Sequence, residues 1–365
     1  AYQFDTNEEG DEIPAEPVAA TVEGLTDEQK LEALNKVWRN FCVSDAYEPG
    51  STFKPFTISG ALEENIITPE TTFWCDGFQQ IDTYKIKCHK TTGHGEVTAE
   101  GAMVQSCNDA LMQIGAMEGP KIFAKYQDVF GFGQKTRVDL PGEANTSNLI
   151  YYEDTLNPVE LATSSFGQGV SVTMIQLASA FSSVINGGDY YQPHVVKEIV
   201  DESGAVITDY EPTVIRKTIS KETSDLLKGY LQKVVESGTA TNCQIEGYTI
   251  GGKTGTAEKL PRGNHKYLVS FIGFAPVEKP QVVVYVIVDE PHVDLAAVSG
   301  KATIVCHNIM ARLFPYMNIF QSNTVVVDEN QAIEPEDATP VFEPGTEPGA
   351  TTEAGATTEA GATTE

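Results

Sequence analysis

Tyr47-Glu48-Pro49-Gly50-Ser51-Thr52-Phe53-Lys54-Pro55 is the stretch on which the reading of this 365-residue chain turns. Asp45 to Gly50 has turn composition, and the run from Ser51 to about Glu64 predicts a helix. The first turn of a helix has unpaired backbone N–H groups and partial positive charge. A serine there can place its own N–H against a developing oxyanion. Lys54, three residues on, shares its face of the helix. It can take the serine proton if burial or neighbours lower its pKa. Pro55 falls in the first turn, where its missing N–H costs little. Taken alone, an N-capping serine followed by a surface lysine is the commoner meaning of this spacing.

Two further segments change that balance. Ser106-Cys107-Asn108 lies within a stretch from Thr98 to Ile114 that reads as one helix. A serine hydroxyl can relay a proton between a lysine and a leaving amine. An asparagine amide can hold that lysine and a substrate carbonyl. By themselves these are two polar residues on a solvated face. The third segment, Gly251-Gly252-Lys253-Thr254-Gly255-Thr256-Ala257-Glu258, opens a run of three closely spaced strands, 248–256, 267–275 and 281–289. Close spacing favours an antiparallel meander. Gly255 lets another backbone approach. Lys253 can attract a carboxylate that Thr254 or Thr256 bonds, and the Thr256 N–H can supply a second oxyanion donor. Gly247 through Thr254 also satisfies the phosphate-loop expression. That rival fails on context, because such a loop opens a long helix, and here Pro261, Gly263 and a strand pattern follow.

The bulk numbers are those of a folded body with acidic ends. The chain is 41% hydrophobic with a net charge of -28. Much of that charge sits in residues 1–32 and 328–365, so the body between is only mildly acidic. No basic face for nucleic acid is visible. No apolar run approaches the ~18 residues that span a bilayer, and no charged-then-apolar leader opens the segment. Residues 1–25 read as an acidic flexible lead-in, 26–320 as the folded domain, and 321–365 as an acidic low-complexity tail ending in Ala-Thr-Thr-Glu-Ala-Gly repeats. Within the domain, Thr26 opens a helix with a capping box, and Leu31, Leu34, Val37 and Trp38 fall on one face of it. Residues 190–209 read as a hairpin turning at Glu202-Ser203-Gly204.

Together, the Ser-x-x-Lys, Ser-x-Asn and Lys-Thr-Gly segments resemble the motif set of penicillin-binding proteins and serine β-lactamases. Their order and the kind of element carrying each also match. The flanking stretches 47–56, 94–114 and 163–179, the last with Ser164-Ser165-Phe166-Gly167-Gln168-Gly169, are similar to monofunctional class B transpeptidases, nearest to division and sporulation proteins of Gram-positive bacteria. The likeness covers about residues 30–315. It implies an α/β (α+β) fold: an antiparallel sheet flanked by helices, with a helical subdomain across the cleft. It implies a D,D-transpeptidase that cross-links peptidoglycan stem peptides through a Ser51 acyl-enzyme and is blocked by β-lactam antibiotics. Lys54 maps to the base, Ser106 and Asn108 to the second motif, and Lys253, Thr254 and Gly255 to the third. The Ser51 and Thr256 N–H groups map to the oxyanion hole. No cofactor is implied. The implied location is the extracytoplasmic face of the bacterial membrane, beside other cell-wall synthesis proteins, with the anchor outside this segment.

The chain also departs from that pattern. The family sheet has two strands before the nucleophile helix, and here only residues 1–6 offer a remnant. The sheet is therefore expected to lack its first strands. Cys75 and Cys88 flank a turn-rich stretch near His89 and His94. Outside the cytoplasm, a Cys75–Cys88 disulfide is the first expectation and unpaired thiols the second. A metal site at Cys75, Cys88 and His89 comes last, for want of Cys-x-x-Cys spacing. The Cys107 thiol either lines the cleft or is a small buried filler. A D,D-carboxypeptidase, which passes the acyl group to water, stays open, as does a non-catalytic penicillin-sensing or scaffold module. A β-lactamase needs a water-activating group, for which Glu160 is the nearest candidate. Asn108 speaks against the class whose second motif ends in an aliphatic residue.

Overall fold

A computed structural model describes residues 4–6, 12–14, 26–291 and 299–321. Helix α1 (Asp27–Trp38) starts at Thr26 with the predicted capping box, the Thr26 hydroxyl and the Gln29 side chain each accepting the other's backbone N–H. Its apolar stripe is not buried: Leu31, Leu34, Val37 and Trp38 stay between 43% and 78% exposed.

Gly50–Phe53 forms a 3-10 turn, and helix α2 (Lys54–Glu63) continues from it. Every residue of α2 from Lys54 to Leu62 is buried. A helix enclosed on all sides is a core element, and α2 lies against most of the helices around it. These are α3 (Ala99–Val104), α4 (Asn108–Val129), α6 (Met174–Ile185) and α7 (Lys221–Glu236), with α5 (Pro158–Ser165) packed on α4 and its Ser165 carbonyl accepting from the Thr57 hydroxyl of α2 at 2.8 Å. Glu63, the last residue of α2, accepts from the N–H and hydroxyl of Ser220 and from the Thr223 hydroxyl, capping α7 with a carboxylate. Phe53 and Phe56 meet Phe130 and Phe132, the phenylalanines of Phe130-Gly131-Phe132-Gly133, with the Phe56 ring centroid 4.9 Å from each of the latter two. Phe56→Ala empties the middle of this cluster. It is expected to cost about 3–5 kcal/mol in urea unfolding, and a loss under about 1 kcal/mol would mean the cluster is not a unit.

The sheet has three antiparallel strands in the order β1 (Gly251–Glu258), β2 (Tyr267–Ala275), β3 (Val282–Asp289). Lys253 pairs with Ile272, and Gly255 with Ser270. Helix α7 packs on β1, and α8 (Gly300–Tyr316) packs on β2 and β3. Covered in this way, β2 is buried from Leu268 to Ala275. The short strands Phe4–Thr6 and Glu12–Pro14 pair with each other and not with this sheet, which has no strand from before the Gly50–Phe53 turn among the described residues. The remainder of the lead-in, and the tail after Gln321, lie outside the described residues.

Two sequence expectations are corrected. The stretch 98–114 is not one helix. α3 stops at Val104, Ser106 takes the left-handed φ of 54°, and Cys107 caps α4 with its sulfur accepting from the Ala110 N–H at 3.4 Å. The hairpin is also shorter than expected. Glu198–Val200 pairs with Val206–Asp209, while Asp189–Tyr191 pairs instead with Val214–Lys217. Local turn residues mark the first pairing; the second closes over a longer loop and depends on packing.

Candidate active site

The turn that carries Ser51 is held between two backbones. On one side the Gly50 N–H donates to the Gly167 carbonyl at 2.9 Å. On the other lies edge strand β1. Gly255 is where they meet: a Cβ there would stand 3.0 Å from the Pro49 carbonyl oxygen and 2.4 Å from the Ser270 hydroxyl. The absence of a side chain at 255 is what lets the strand lie against the turn. Tyr47 adds a tie, its hydroxyl 2.6 Å from that of Tyr285 on β3.

Lys54 is completely buried. Its Nζ donates to the Ser106 carbonyl at 2.6 Å, the Ser106 hydroxyl at 3.1 Å and the Asn108 Oδ1 at 2.7 Å. The unusual backbone of Ser106 turns both its oxygens toward one amine, the kind of strain that clusters at functional sites. From the opposite side, the equally buried Lys253 Nζ donates to the same Ser106 hydroxyl at 2.9 Å and to the Thr254 carbonyl at 3.2 Å. Burial pulls the Lys54 ammonium down to about 7, partly opposed by Cys107 and Cys88. Burial and then the Lys54 charge push Lys253 well below its ordinary value. Two amines sharing one hydroxyl cannot both hold a buried charge cheaply, so the pair stores a proton acceptor in the neutral range.

Ser51, Ser106, Asn108, Thr254, Gly255 and Thr256 all line one cavity of about 400 Å³. All three segments singled out in the sequence thus converge on one cleft, with Lys54 and Lys253 beneath its floor. Gln168, from the glycine-rich loop, reaches the same cavity. Glu258, the end of the third segment, lines it too, as do Thr239, Tyr267 and Ser299, which escaped the sequence reading. Thr239 had a signal: it follows the helix-stopping Ser237-Gly238, and its hydroxyl lies 2.7 Å from that of Thr254. Glu160 sits in the first turn of α5 and is not part of the cavity lining.

The cysteine expectations change. All six cysteines are free, so Cys75 and Cys88 form no disulfide. Cys107 is wholly buried and points away from the cleft, toward Cys88, 3.9 Å between sulfurs. Among the described residues, Cys75, Cys88, His94 and Cys107 could together hold a metal; His89, expected in that set, is exposed and lines the cleft, with its Nδ1 3.9 Å from the Cys88 sulfur.

The chain belongs to the penicillin-binding protein transpeptidase domain family, whose sequence profile matches residues 16–311. It is 40% identical over 286 residues to the stage V sporulation protein D of Bacillus subtilis, covering 77% of this chain and 44% of that protein. It is 30% identical over 301 residues to a peptidoglycan D,D-transpeptidase FtsI homolog of Mesostigma viride, covering 76% and 50%. The chain therefore spans about half the length of these relatives. Among solved structures, the transpeptidase domain of Burkholderia pseudomallei penicillin-binding protein 3 superposes with a TM-score of 0.69 at 30% identity, covering 78% of this chain and 83% of that one. Penicillin-binding protein 3 of Mycobacterium tuberculosis, solved in complex with aztreonam, superposes with a TM-score of 0.70 at 26% identity, covering 77% and 65%. The α+β fold read from the sequence is the fold of these domains.

Proposed function

We propose that this chain is a peptidoglycan D,D-transpeptidase domain, in which Ser51 is acylated by a stem peptide and, in the same way, by β-lactam antibiotics. The observation that carries the reading is the pair of buried amines meeting at the Ser106 hydroxyl beside Ser51 in one cleft. Neutral Lys54 takes the Ser51 hydroxyl proton as Oγ attacks the carbonyl between the two terminal D-alanines. The Ser51 and Thr256 N–H groups face the oxyanion. Ser106, bonded to both amines, passes the proton to the leaving D-alanine nitrogen. Lys253, with Thr254 and Thr256, attracts the substrate carboxylate. An amine of a second stem then takes the acyl group and frees Ser51. In this reading the domain works at the extracytoplasmic face of the membrane with other cell-wall synthesis proteins. No helix among the described residues is long and apolar enough to cross a membrane. The position of Glu160 outside the cavity weighs against a β-lactamase.

A fluorescent penicillin tests the reading directly. The protein is expected to take one label that survives denaturation, and Ser51→Ala none. Label that persists in Ser51→Ala would overturn the assignment, and rapid loss of label from the wild type would make it a hydrolase. The acylation rate should also depend on pH. Because Lys54 acts as its free base and burial sets its pKa at about 7, the rate rises with pH through about 7 and levels off above it. A rapid-quench series from about pH 5 to about pH 9 that came out flat would remove Lys54 from the role of base.

A further inference from the structure

The thiols left over from the catalytic reading have the geometry of a metal site. The ligand atoms of Cys75, Cys88, His94 and Cys107 all lie within 4.8 Å of one another. The Cys75 and Cys88 sulfurs stand 3.4 Å and 3.6 Å from His94 Nδ1, and the Cys88 and Cys107 sulfurs stand 3.9 Å apart. A tetrahedral zinc ion with its usual bond lengths sets its ligands about 3.8 Å apart for sulfur to sulfur and about 3.5 Å for sulfur to nitrogen. These three edges match those values, and the other three are no longer than 4.8 Å. The Cys88–Cys107 separation is nearly twice a disulfide bond, which is about 2.05 Å.

The four residues come from separate segments, so the arrangement is tertiary and not a local turn. Cys75 ends the strand Thr72–Cys75, which pairs with Gly95–Thr98 so that Cys75 faces Gly95, next to His94. Cys88 follows the strand Tyr84–Lys87, and Cys107 caps α4. The three thiols are at most 1% exposed. The Ala110 N–H donated to the Cys107 sulfur is the kind of outer contact that orients and steadies a thiolate ligand.

We propose that Cys75, Cys88, His94 and Cys107 bind a thiophilic divalent cation, zinc by preference, which pins the second motif in place. Three sulfurs and one imidazole suit zinc and exclude the oxygen-seeking magnesium and calcium. Four protein ligands close the coordination sphere, so the role is structural. On binding, the three thiols release their protons to solvent, and His94 binds through Nδ1 as the neutral ring. Cys107 is flanked by Ser106 and Asn108, which together supply every acceptor of the Lys54 amine. A cation gripping Cys107 therefore fixes the strained Ser106 backbone and, through it, the position of Lys54. The metal-binding claim stands apart from the proposed reaction; its effect on acylation rests on that reading.

The test is metal analysis of the whole chain purified in reducing buffer without chelator. One zinc per chain is expected, and after chelation, cobalt(II) should restore the visible bands of a tetrahedral ion with thiolate charge transfer. Cys42→Ser, at the exposed cysteine away from the cluster, should keep the metal, whereas Cys88→Ser and His94→Ala should each lose it. Substoichiometric zinc after reconstitution, an octahedral cobalt spectrum, or a Cys88–Cys107 disulfide in reducing buffer would each overturn the site. Removing the metal is expected to slow penicillin acylation on the order of 10²-fold, as displacement of a positioned group does, with recovery on adding zinc. An unchanged rate in the metal-free protein would overturn the positioning role while leaving the binding site standing.

Discussion

Lys54→Met is expected to slow penicillin acylation by about 10²–10⁴-fold, the usual worth of a positioned base. Methionine keeps an unbranched stem of similar length, so it fills the same channel through the core without the amine. What disappears is the proton acceptor, together with three donated bonds to Ser106 and Asn108. The substitution also removes a buried amine whose desolvation opposes folding, which offsets part of the lost bonding. The protein should therefore fold, and urea unfolding run beside the rate measurement separates lost chemistry from lost structure. Acylation within about ten-fold of wild type, in a folded variant, would show that another group takes the Ser51 proton.

Gly50→Ala should slow acylation by about 10²-fold although it touches no reacting atom. Gly50 has a φ of +55°, a region where a side chain costs about 1–2 kcal/mol. A Cβ there would lie 2.4 Å from the Thr256 carbonyl oxygen, a backbone atom of β1 that cannot rotate aside. The turn or the strand must move, and the movement separates the two N–H groups, of Ser51 and Thr256, assigned to the oxyanion. Gly229→Ala is the control. It lies within α7, and its added Cβ would meet nothing within 4 Å, so it is expected to leave acylation unchanged. Equal rates for Gly50→Ala and wild type would mean that the close approach of turn and strand is not needed for the reaction.

The site was legible because its parts are short and contiguous. Ser51 and Lys54 lie three residues apart, as Ser106 and Asn108 lie two apart, so each local spacing is written in the chain. The three-strand meander was legible for a similar reason: its apolar runs are separated by brief turns, and neighbours in sequence pair in space. The break at Ser106 was not. Nothing in the composition of 98–114 marks it, because the left-handed serine is held there by bonds from Lys54 and Lys253, 52 and 147 residues away in sequence. The helix carrying Leu31, Leu34, Val37 and Trp38 on one face was legible, but periodicity shows that a helix has an apolar face, not what covers it.

From the sequence by itself come the family, the order of the three motifs, the strand that carries the third and the serine proposed to bear the chemistry. All of these are local or sequential properties. Tertiary structure alone decided that Lys54 and Lys253 share one hydroxyl, that burial brings Lys54 to about 7, and that the ligand atoms of His94 and Cys107 gather with those of Cys75 and Cys88. Each of these depends on distances between segments far apart in the chain, and on how much water packing leaves around a charge. Neither quantity exists until the chain has folded.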